Sequence, residues 1–562
     1  MNRKLLSAVL ALAVSTPAVL AQEETPIGKL VETIDVRVIN IDVVVTDKRG
    51  NPITGLSADD FIILENGQSR TISNFYEIDN SKKPRGAAGE PPAASSPIAT
   101  GAQEAEETPQ NLRRKFIIFI DNLSLNPLNR NHVVETMKKF VESSVRPGDQ
   151  AMVATWNRSM KIRVPFTGDT TQILQMLDVV KGESSFGMHN LSERKSVESQ
   201  IRDSRTYEEA VVAARGYAQS VEHDVRQTIT ALNALMGTLA GVDGKKVLVL
   251  TTEGLPMQAG KEMFVFIDDM AREKTGWQRG GTALMEATHF DSTGLIQSIA
   301  RTANANGITL YPLHAGGLSA YSHGSAEQSR PTSFIVQQAA LSNHTDSLHL
   351  IADMTGGIAT VGTNNFLAAF NRIEKDLDSY YSLGYRSGTE RVDRQRRIEV
   401  RAKNRSHVVR ARRSFVEKST RTEMNDRVIA NLFYDNTTND LRVFLTTGRP
   451  IQIDAQTFRV PLEIHIPMET LTLLPQGEVM FGGFSVFVGV ANKDGDMSDV
   501  REQSHQFQIP PPELEKLKGR HYTYALELIM EKGRNRISVG VVDDISNTTG
   551  FERQEVLAAD LR

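Results

Sequence analysis

The most apolar stretches of the chain are short and recur between amphipathic segments. Lys115-Phe116-Ile117-Ile118-Phe119-Ile120 is a near-continuous apolar run, the pattern of a strand buried on both faces. Residues 151–156, 246–252 and 308–313 read alike, and 160–164 reads as a further strand. Between the first two, Val133, Val134, Met137 and Phe140 fall on one face of a helix starting near Pro127 and reaching about Ser144. Helices also fit 170–181, 208–239, 293–305 and 364–379. This rhythm over 113–415 predicts a doubly wound, mostly parallel sheet. Its ligand site belongs beyond the carboxyl ends of the strands, near the topological switch. Residues 183–240 and 256–292 exceed what a crossover needs; the second carries Gly276, Gly280 and Gly281 around Trp277. They read as insertions riding over the ligand face.

The flanks follow a period of two. Ile34, Val36 and Val38 alternate, then Ile39, Ile41, Val43 and Val45 alternate on the other parity. A β-bulge or a strand crossing between sheets produces such a phase switch. Asp47-Lys48-Arg49-Gly50-Asn51-Pro52 is a turn, and Ser57 caps one helical turn through Asp60. Phe61 begins a strand, and Asn66-Gly67 is a hairpin turn with positive φ at both positions. Residues 31–78 therefore predict a small immunoglobulin-like sandwich. Residues 79–112 are rich in Pro, Ala, Gly, Ser and Glu and predict a flexible linker. In 424–562, residues 441–445, 462–466, 484–490, 522–529 and 537–542 are strand-like. They predict a second β-sandwich. The expected fold class is multidomain, an α/β doubly wound domain flanked by two β-sandwich domains.

Residues 1–21 differ from all of these. Arg3 and Lys4 precede an apolar stretch from Leu5 to Val14, and Val19 and Ala21 stand where a signal peptidase reads small residues. The apolar stretch is too short to span a bilayer, so an export signal is expected rather than an anchor. No later stretch of about 18 apolar residues follows. The mature chain, from about Gln22, is expected to be exported without a transmembrane anchor, to a periplasm, the medium or the cell surface. With 562 residues the chain has room for several domains. Lys+Arg is 64 against Asp+Glu 68, a net charge of -4, without the basic excess of a nucleic-acid binder. The absence of cysteine excludes disulfides, thiolate zinc sites and cysteine nucleophiles.

Candidate chemistry is sparse. The main segment follows the first strand of the α/β region: Asp121-Asn122-Leu123-Ser124-Leu125-Asn126. With it stand Arg146-Pro147-Gly148-Asp149, Phe166-Thr167-Gly168-Asp169, Gly244-Lys245-Lys246 and Thr252-Glu253-Gly254. Thr355-Gly356-Gly357 and Tyr381-Ser382-Leu383-Gly384-Tyr385-Arg386 follow in order. In this order and spacing the chain resembles the bacterial von Willebrand factor A-related proteins first grouped from Acidobacteria, over most of its length. Thr46 to Pro52 with Asp59-Asp60-Phe61 resembles the β-domain that this family carries.

The resemblance implies a von Willebrand A domain, many of which bind Mg²⁺ at an adhesion site. That site uses an Asp, two Ser at alternating positions, a Thr from a later loop and an Asp after the fourth strand. Hard oxygens suit Mg²⁺, and hydroxyl ligands leave it electrophilic enough to take a carboxylate from a partner. This sequence departs from the pattern. Counted from Asp121, Leu123 and Leu125 occupy both serine positions. Shifted by one, Ser124 and Asn126 fit, but Asn122 replaces the Asp, and Glu253 stands where the later Asp is usual. Two readings stay open. One is a weakened Mg²⁺ site of Asp121, Asn122, Ser124, Asn126 and Glu253. The other is a degenerate site in which Asn122 and Ser124 hydrogen-bond the next loop.

Residues 391–413 are strongly basic, with Arg394, Arg396, Arg397, Arg401, Lys403, Arg410, Arg412 and Arg413. They read as an edge hairpin protected by charge, or as a patch for an anionic envelope polymer, lipid headgroup or acidic protein. Asp494 to Asp496 reads as a turn, and His344 with His349 as structural. Gly-x-Ser-x-Gly, His-Glu-x-x-His and phosphate-loop motifs are absent from the sequence. The function expected is therefore non-enzymatic. The chain should bind a protein or cell-envelope partner, and not nucleic acid, through the carboxyl-end face. The alternatives are a secreted hydrolase-like enzyme, needing a pocket that joins a His, a carboxylate and a hydroxyl, and a purely structural envelope scaffold.

Overall fold

A computed structural model describes residues 38–79, 113–272, 274, 277, 283–318, 333–387, 392–434 and 438–559. The expected export signal, most of the expected linker, the first phase of the N-terminal alternation before Val38, and Gly276, Gly280 and Gly281 lie outside these residues. The described residues divide into two compact units, 38–237 with 243–417, and 238–242 with 418–559.

The first unit begins with β1 (Val38–Thr46), β2 (Phe61–Glu65), β3 (Gln68–Arg70) and β4 (Ile72–Asp79). On β1, Ile39, Ile41, Val43 and Val45 point inward, as their alternation predicts. Asn66 and Gly67 join β2 to β3 with φ of 49° and 84°, the left-handed pair that a two-residue hairpin of this type requires.

Next comes the α/β part. It runs β5 (Arg114–Asp121), α1 (Pro127–Ser144), β6 (Gln150–Trp156), β7 (Met160–Thr167), α2 (Thr170–Lys181), α3 (Gly187–Asp203) and α4 (Tyr207–Thr238). It continues with β8 (Lys245–Thr252), α5 (Lys261–Met270), α6 (Thr293–Ala305), β9 (Ile308–His314), α7 (Phe334–Thr355) and α8 (Phe366–Asp378). The strands form one sheet in the order β7-β6-β5-β8-β9, with β7 antiparallel and the other pairs parallel. Residues from α1, α2 and α8 cover one face, where Val133, Phe140, Leu177 and Phe370 meet Phe116, Ile118 and Val249. The chain leaves β5 in one direction to β6 and β7, then returns on its other side to β8. The gap between the ends of β5 and β8 is thus the topological switch. The two insertions pack on each other: Ile201 of α3, Ala210 and Ala214 of α4, and Phe264 and Ile267 of α5 share a core with Trp277 and Phe290.

The unit closes with β10 (Ser379–Arg386), β11 (Gln395–Ala402), β12 (Val408–Ala411) and β13 (Ser414–Val416). These strands complete the N-terminal ones, in sheets ordered β12-β1-β10-β4 and β13-β11-β2-β3. Both sheets share a core of Ile41, Val43, Phe61, Tyr381, Leu383, Ile398 and Phe415. A boundary separating 31–78 from 113–415 is therefore corrected. Four short strands cannot cover their own apolar face, and the strands that cover it lie some three hundred residues later. The basic segment is corrected too. β11 lies between β13 and β2, and β12 stands at the edge of the other sheet, so 395–411 is a corner between sheets and not a hairpin, with β12 alone at an edge.

The second unit opens with α9 (Thr420–Phe433). Strands Phe444–Thr447, Ile451–Gln452, Thr457–Pro467 and His521–Glu531 form one sheet. Leu474–Gln476, Val479–Asn492, Arg501–Ile509, Gly533–Asp543 and Thr549–Ala558 form another. Phe458, Leu462, Ile464, Phe484, Val486 and Val539 fill the core they share. Val428 brings α9 onto Phe487 and Phe551.

Tyr381 is 1% exposed, its ring 5.3 Å from Phe61 and 5.6 Å from Phe75, and its hydroxyl donates to Ile53 O at 2.9 Å. Tyr381→Ala is expected to cost about 3–5 kcal/mol in denaturant unfolding. Pulse proteolysis of that variant should release cuts in 38–79 and 379–416 together, because the two segments form one packed body.

Candidate functional site at the carboxyl ends of the central strands

β5 and β8 end side by side, because Ile120 pairs with Thr251 in the parallel register. The next residues, Asp121 and Thr252, are therefore neighbours, and Thr252 pairs in turn with His314 at the end of β9. Side chains alternate along strands, so Asp121, Thr252 and His314 share one face of the sheet in a transverse row. The loop after β5 then folds back over this row. Ser124 and Leu125 N–H groups both donate to Asp121 O, at 3.2 and 3.1 Å. That turn aims the Ser124 hydroxyl at the row.

Asp121 is 1% exposed. Its Oδ2 accepts from Ser124 Oγ at 2.7 Å and from Thr252 Oγ1 at 2.9 Å, and Oδ1 accepts from Leu123 N at 3.2 Å. The two hydroxyls are 2.9 Å apart. Backbone N–H groups hold both of them, Glu253 N on Ser124 Oγ at 3.1 Å and Gly254 N on Thr252 Oγ1 at 3.2 Å. Glu253 turns the other way. Its Oε1 accepts from Asn126 N at 2.8 Å and Asn129 Nδ2 at 2.9 Å, which ties the end of β8 to the start of α1. Burial raises both carboxyl pKa values; the hydroxyl bonds oppose the shift at Asp121, and the Asn129 and Asn126 bonds oppose it at Glu253.

Asn122 is elsewhere. Its Oδ1 accepts from Arg130 Nη1 at 3.0 Å, and its Nδ2 donates to Glu183 Oε2 at 3.0 Å. Arg130, 1% exposed, also donates to the carbonyls of Lys181 at 2.7 Å and Glu183 at 2.9 Å. Arg163 pairs with Glu183. This cluster fixes the chain entering α3, whose start docks on the loop after β5. Phe186 N donates to Asn122 O at 2.8 Å, Gly187 N to Leu125 O at 3.1 Å, and Asn190 Nδ2 to Leu123 O at 2.9 Å. A Cβ on Gly187 would lie 2.4 Å from Asn126 N, so only glycine permits this approach. Asn126 Oδ1 accepts from Leu128 N at 2.9 Å as the cap of α1.

Of the five residues expected to ligate Mg²⁺, then, Asp121, Ser124 and Glu253 come together, while Asn122 and Asn126 use their side-chain oxygens elsewhere. The carboxylate oxygens of Asp121 are committed to hydroxyl and backbone donors, and Glu253 Oε1 to two nitrogens. Among the described residues, no group of three or more His, Cys, Asp or Glu side chains could hold a metal ion. The residues as arranged do not fit Mg²⁺. Thr252, Asn129, Arg130 and His314 complete the constellation and went unassigned in the sequence, although Thr252 stands directly before Glu253. His314 is 1% exposed, and its ring nitrogens meet no side-chain hydrogen-bond partner. Burial, then the neighbouring His344, push its pKa down to about 4, though the Glu253 backbone beside it works against the fall.

The basic residues are dispersed. Arg396 is buried between Glu65 at 3.0 Å and Glu417 at 2.9 Å. Arg410 grips Asp376 at 2.5 Å, and Arg412 donates to Asn40 O at 2.7 Å. These three hold the fold together and leave the expected anion-binding face. Arg394, Arg397, Arg401, Lys403 and Arg413 remain exposed, with Arg401 paired to Glu399 and Arg413 to Asp353.

No family model matches the chain, and no curated protein matches it. Among solved structures, it is similar to proximal thread matrix protein 1 of the mussel byssus, at 14% identity, TM-score 0.22 and 48% of each chain; it thus spans about half that protein's length. An aerotolerance-related membrane protein of Bacteroides fragilis aligns at 12% identity and TM-score 0.24, over 47% of this chain and 98% of that one. The von Willebrand factor domain of a type V pilus tip protein of Porphyromonas gingivalis aligns at 12% identity and TM-score 0.24, over 48% and 96%.

Two measurements probe this geometry. Ser124→Ala combined with Thr252→Val strips both donors from Asp121 Oδ2 and should cost about 3 kcal/mol in chemical unfolding. Adding Asp121→Leu should recover part of it, since no buried charge then remains. The second concerns acid. The unfolded chain protonates His314 near 6.5 and the folded one at about 4, so stability present above the higher value is lost as pH falls between them. The loss should approach ~3 kcal/mol, and His314→Asn should flatten the melting temperature over that window. The raised values of Asp121 and Glu253 act in the opposite sense, and both chains retain those groups.

Proposed function

We propose that the chain is an exported adhesion or protein-interaction component, whose working surface is the carboxyl-end face of its α/β domain. Two β-sandwich domains would flank that domain, and the partner would be a protein or another component of the cell envelope. The observation that carries this reading is the rim of the face. Leu128, Met188 and Leu191 are 78%, 51% and 41% exposed and stand around the loop after β5. Exposed large apolar side chains grouped beside a rigid polar centre favour a contact surface. The insertions of α3 to α5 would give the surface its specificity.

Binding is favoured over catalysis by the state of His314. A hydroxyl, carboxylates and an imidazole do lie in one row, the ingredients expected of a hydrolase. Yet no hydrogen bond joins His314 to Thr252 or Ser124, and its buried ring stays neutral well below pH 7. A nucleophile needs its base within hydrogen-bond reach.

Photo-crosslinking tests the reading in the native envelope. A benzophenone amino acid at Leu128 or Met188 should give a discrete crosslinked product. The same group at Val179, exposed on α2 (55%), should give none. Equal products from all three positions would contradict a dedicated face.

A further inference from the structure

We infer that this face takes a cationic side chain, Arg or Lys, which its protein partner presents among apolar residues. The inference rests on the interaction reading above and names the partner's chemistry.

Its first support is the charge left over at the centre of the face. Glu253 is part-exposed, and both hydrogen bonds that its side chain accepts fall on Oε1. Among the described residues Oε2 has no protein partner, and it does not count among the buried unpartnered atoms, so it meets solvent. Burial, and then like-charge repulsion from the Asp121 carboxyl, raises the pKa of Glu253. Arg130, next to Asn129 on α1, is spent on Asn122 and two carbonyls. Among the described residues the centre therefore presents a carboxylate oxygen that is open to a donor and has no paired counter-charge. Charge-assisted bonds are the strong ones, and a guanidinium or ammonium completes such an acceptor.

Its second support is the surrounding surface. Asn126, whose N–H holds Glu253, also accepts from Leu128 N, and its Nδ2 lies 3.0 Å from Met188 Sδ. The carboxylate and the apolar rim are thus joined through one residue. Leu191 extends the rim one turn along α3. Arg and Lys carry apolar stems that lie along such a rim while the charged end reaches the carboxylate. This is the reverse of a metal-centred face, which would recruit an acidic side chain.

Panning a displayed random peptide library against the full chain in chelator tests the inference. Recovered peptides are then measured against wild type, Glu253→Gln, and the double variant Leu128→Ser with Met188→Ser. Gln keeps an oxygen for Asn126 and Asn129, and a melt confirms folding. The expected result is peptides with a basic residue among apolar ones, weakened about tenfold or more by Glu253→Gln and weakened by the double variant. Peptides lost in the double variant but indifferent to Glu253→Gln would overturn the cationic partner while leaving the face in use. Acidic peptides that bind only when Mg²⁺ replaces the chelator would overturn it in favour of a metal. Peptides indifferent to every substitution, or no peptides at all, would overturn both the cationic partner and the face.

Discussion

A carboxylate sealed inside a protein must be matched, and the burial of Asp121 is the constraint around which this α/β domain is arranged. At 1% exposure it would cost several kcal/mol unpaired. Two hydroxyls and a backbone N–H meet it, and each hydroxyl is fixed by a further backbone N–H. Those contacts dictate the path of the loop after β5 and the junction of β5 with β8. Glu253 then ties that junction to α1 through Asn126 and Asn129. Around Asp121 the polar centre is rigid because its donors and acceptors are already paired with one another, while Glu253 Oε2 stays open.

The insertions depend on the same loop. Its outward carbonyls, at Asn122, Leu123 and Leu125, receive the start of α3. Arg130 gathers the preceding turn through Lys181, Glu183 and Asn122. From there α3, α4 and α5 close over a core of their own. The carboxyl-end face is therefore part sheet end and part insertion, held in one register by glycine at 187.

How much of this was legible in the sequence follows from the range of each interaction. The central strands were readable because parallel strands buried on both faces leave apolar runs such as 116–120. Helices such as α1 were readable because one stripe of Val133, Val134, Met137 and Phe140 had to be buried. The hairpin at Asn66-Gly67 needed only local backbone rules. The partnership of 38–79 with 379–416 was not readable, since each segment carries an ordinary alternating pattern and nothing local names its mate. α9 was passed over in a region dominated by strand patterns. At the site, Asp121, Ser124 and Glu253 could be found because they directly follow strands. Asn122 was misplaced because a one-residue turn of the loop decides which side chain faces the sheet. His314 carries no local signal at all; only the register of β9 on β8 brings it beside Thr252.

The central claim is that the buried Asp121 carboxylate is satisfied without a metal ion. The direct measurement is a thermal melt of the chain in chelator, then with Mg²⁺, Mn²⁺ or Ca²⁺ in excess. An ion bound at about 100 times its dissociation constant would add about 2.7 kcal/mol of stability, enough to move the transition by a readable amount. The hydrogen-bonded arrangement of Asp121, Ser124, Thr252 and Glu253 predicts the same melting temperature in every condition. A rise specific to one ion, lost in Asp121→Asn, would contradict it.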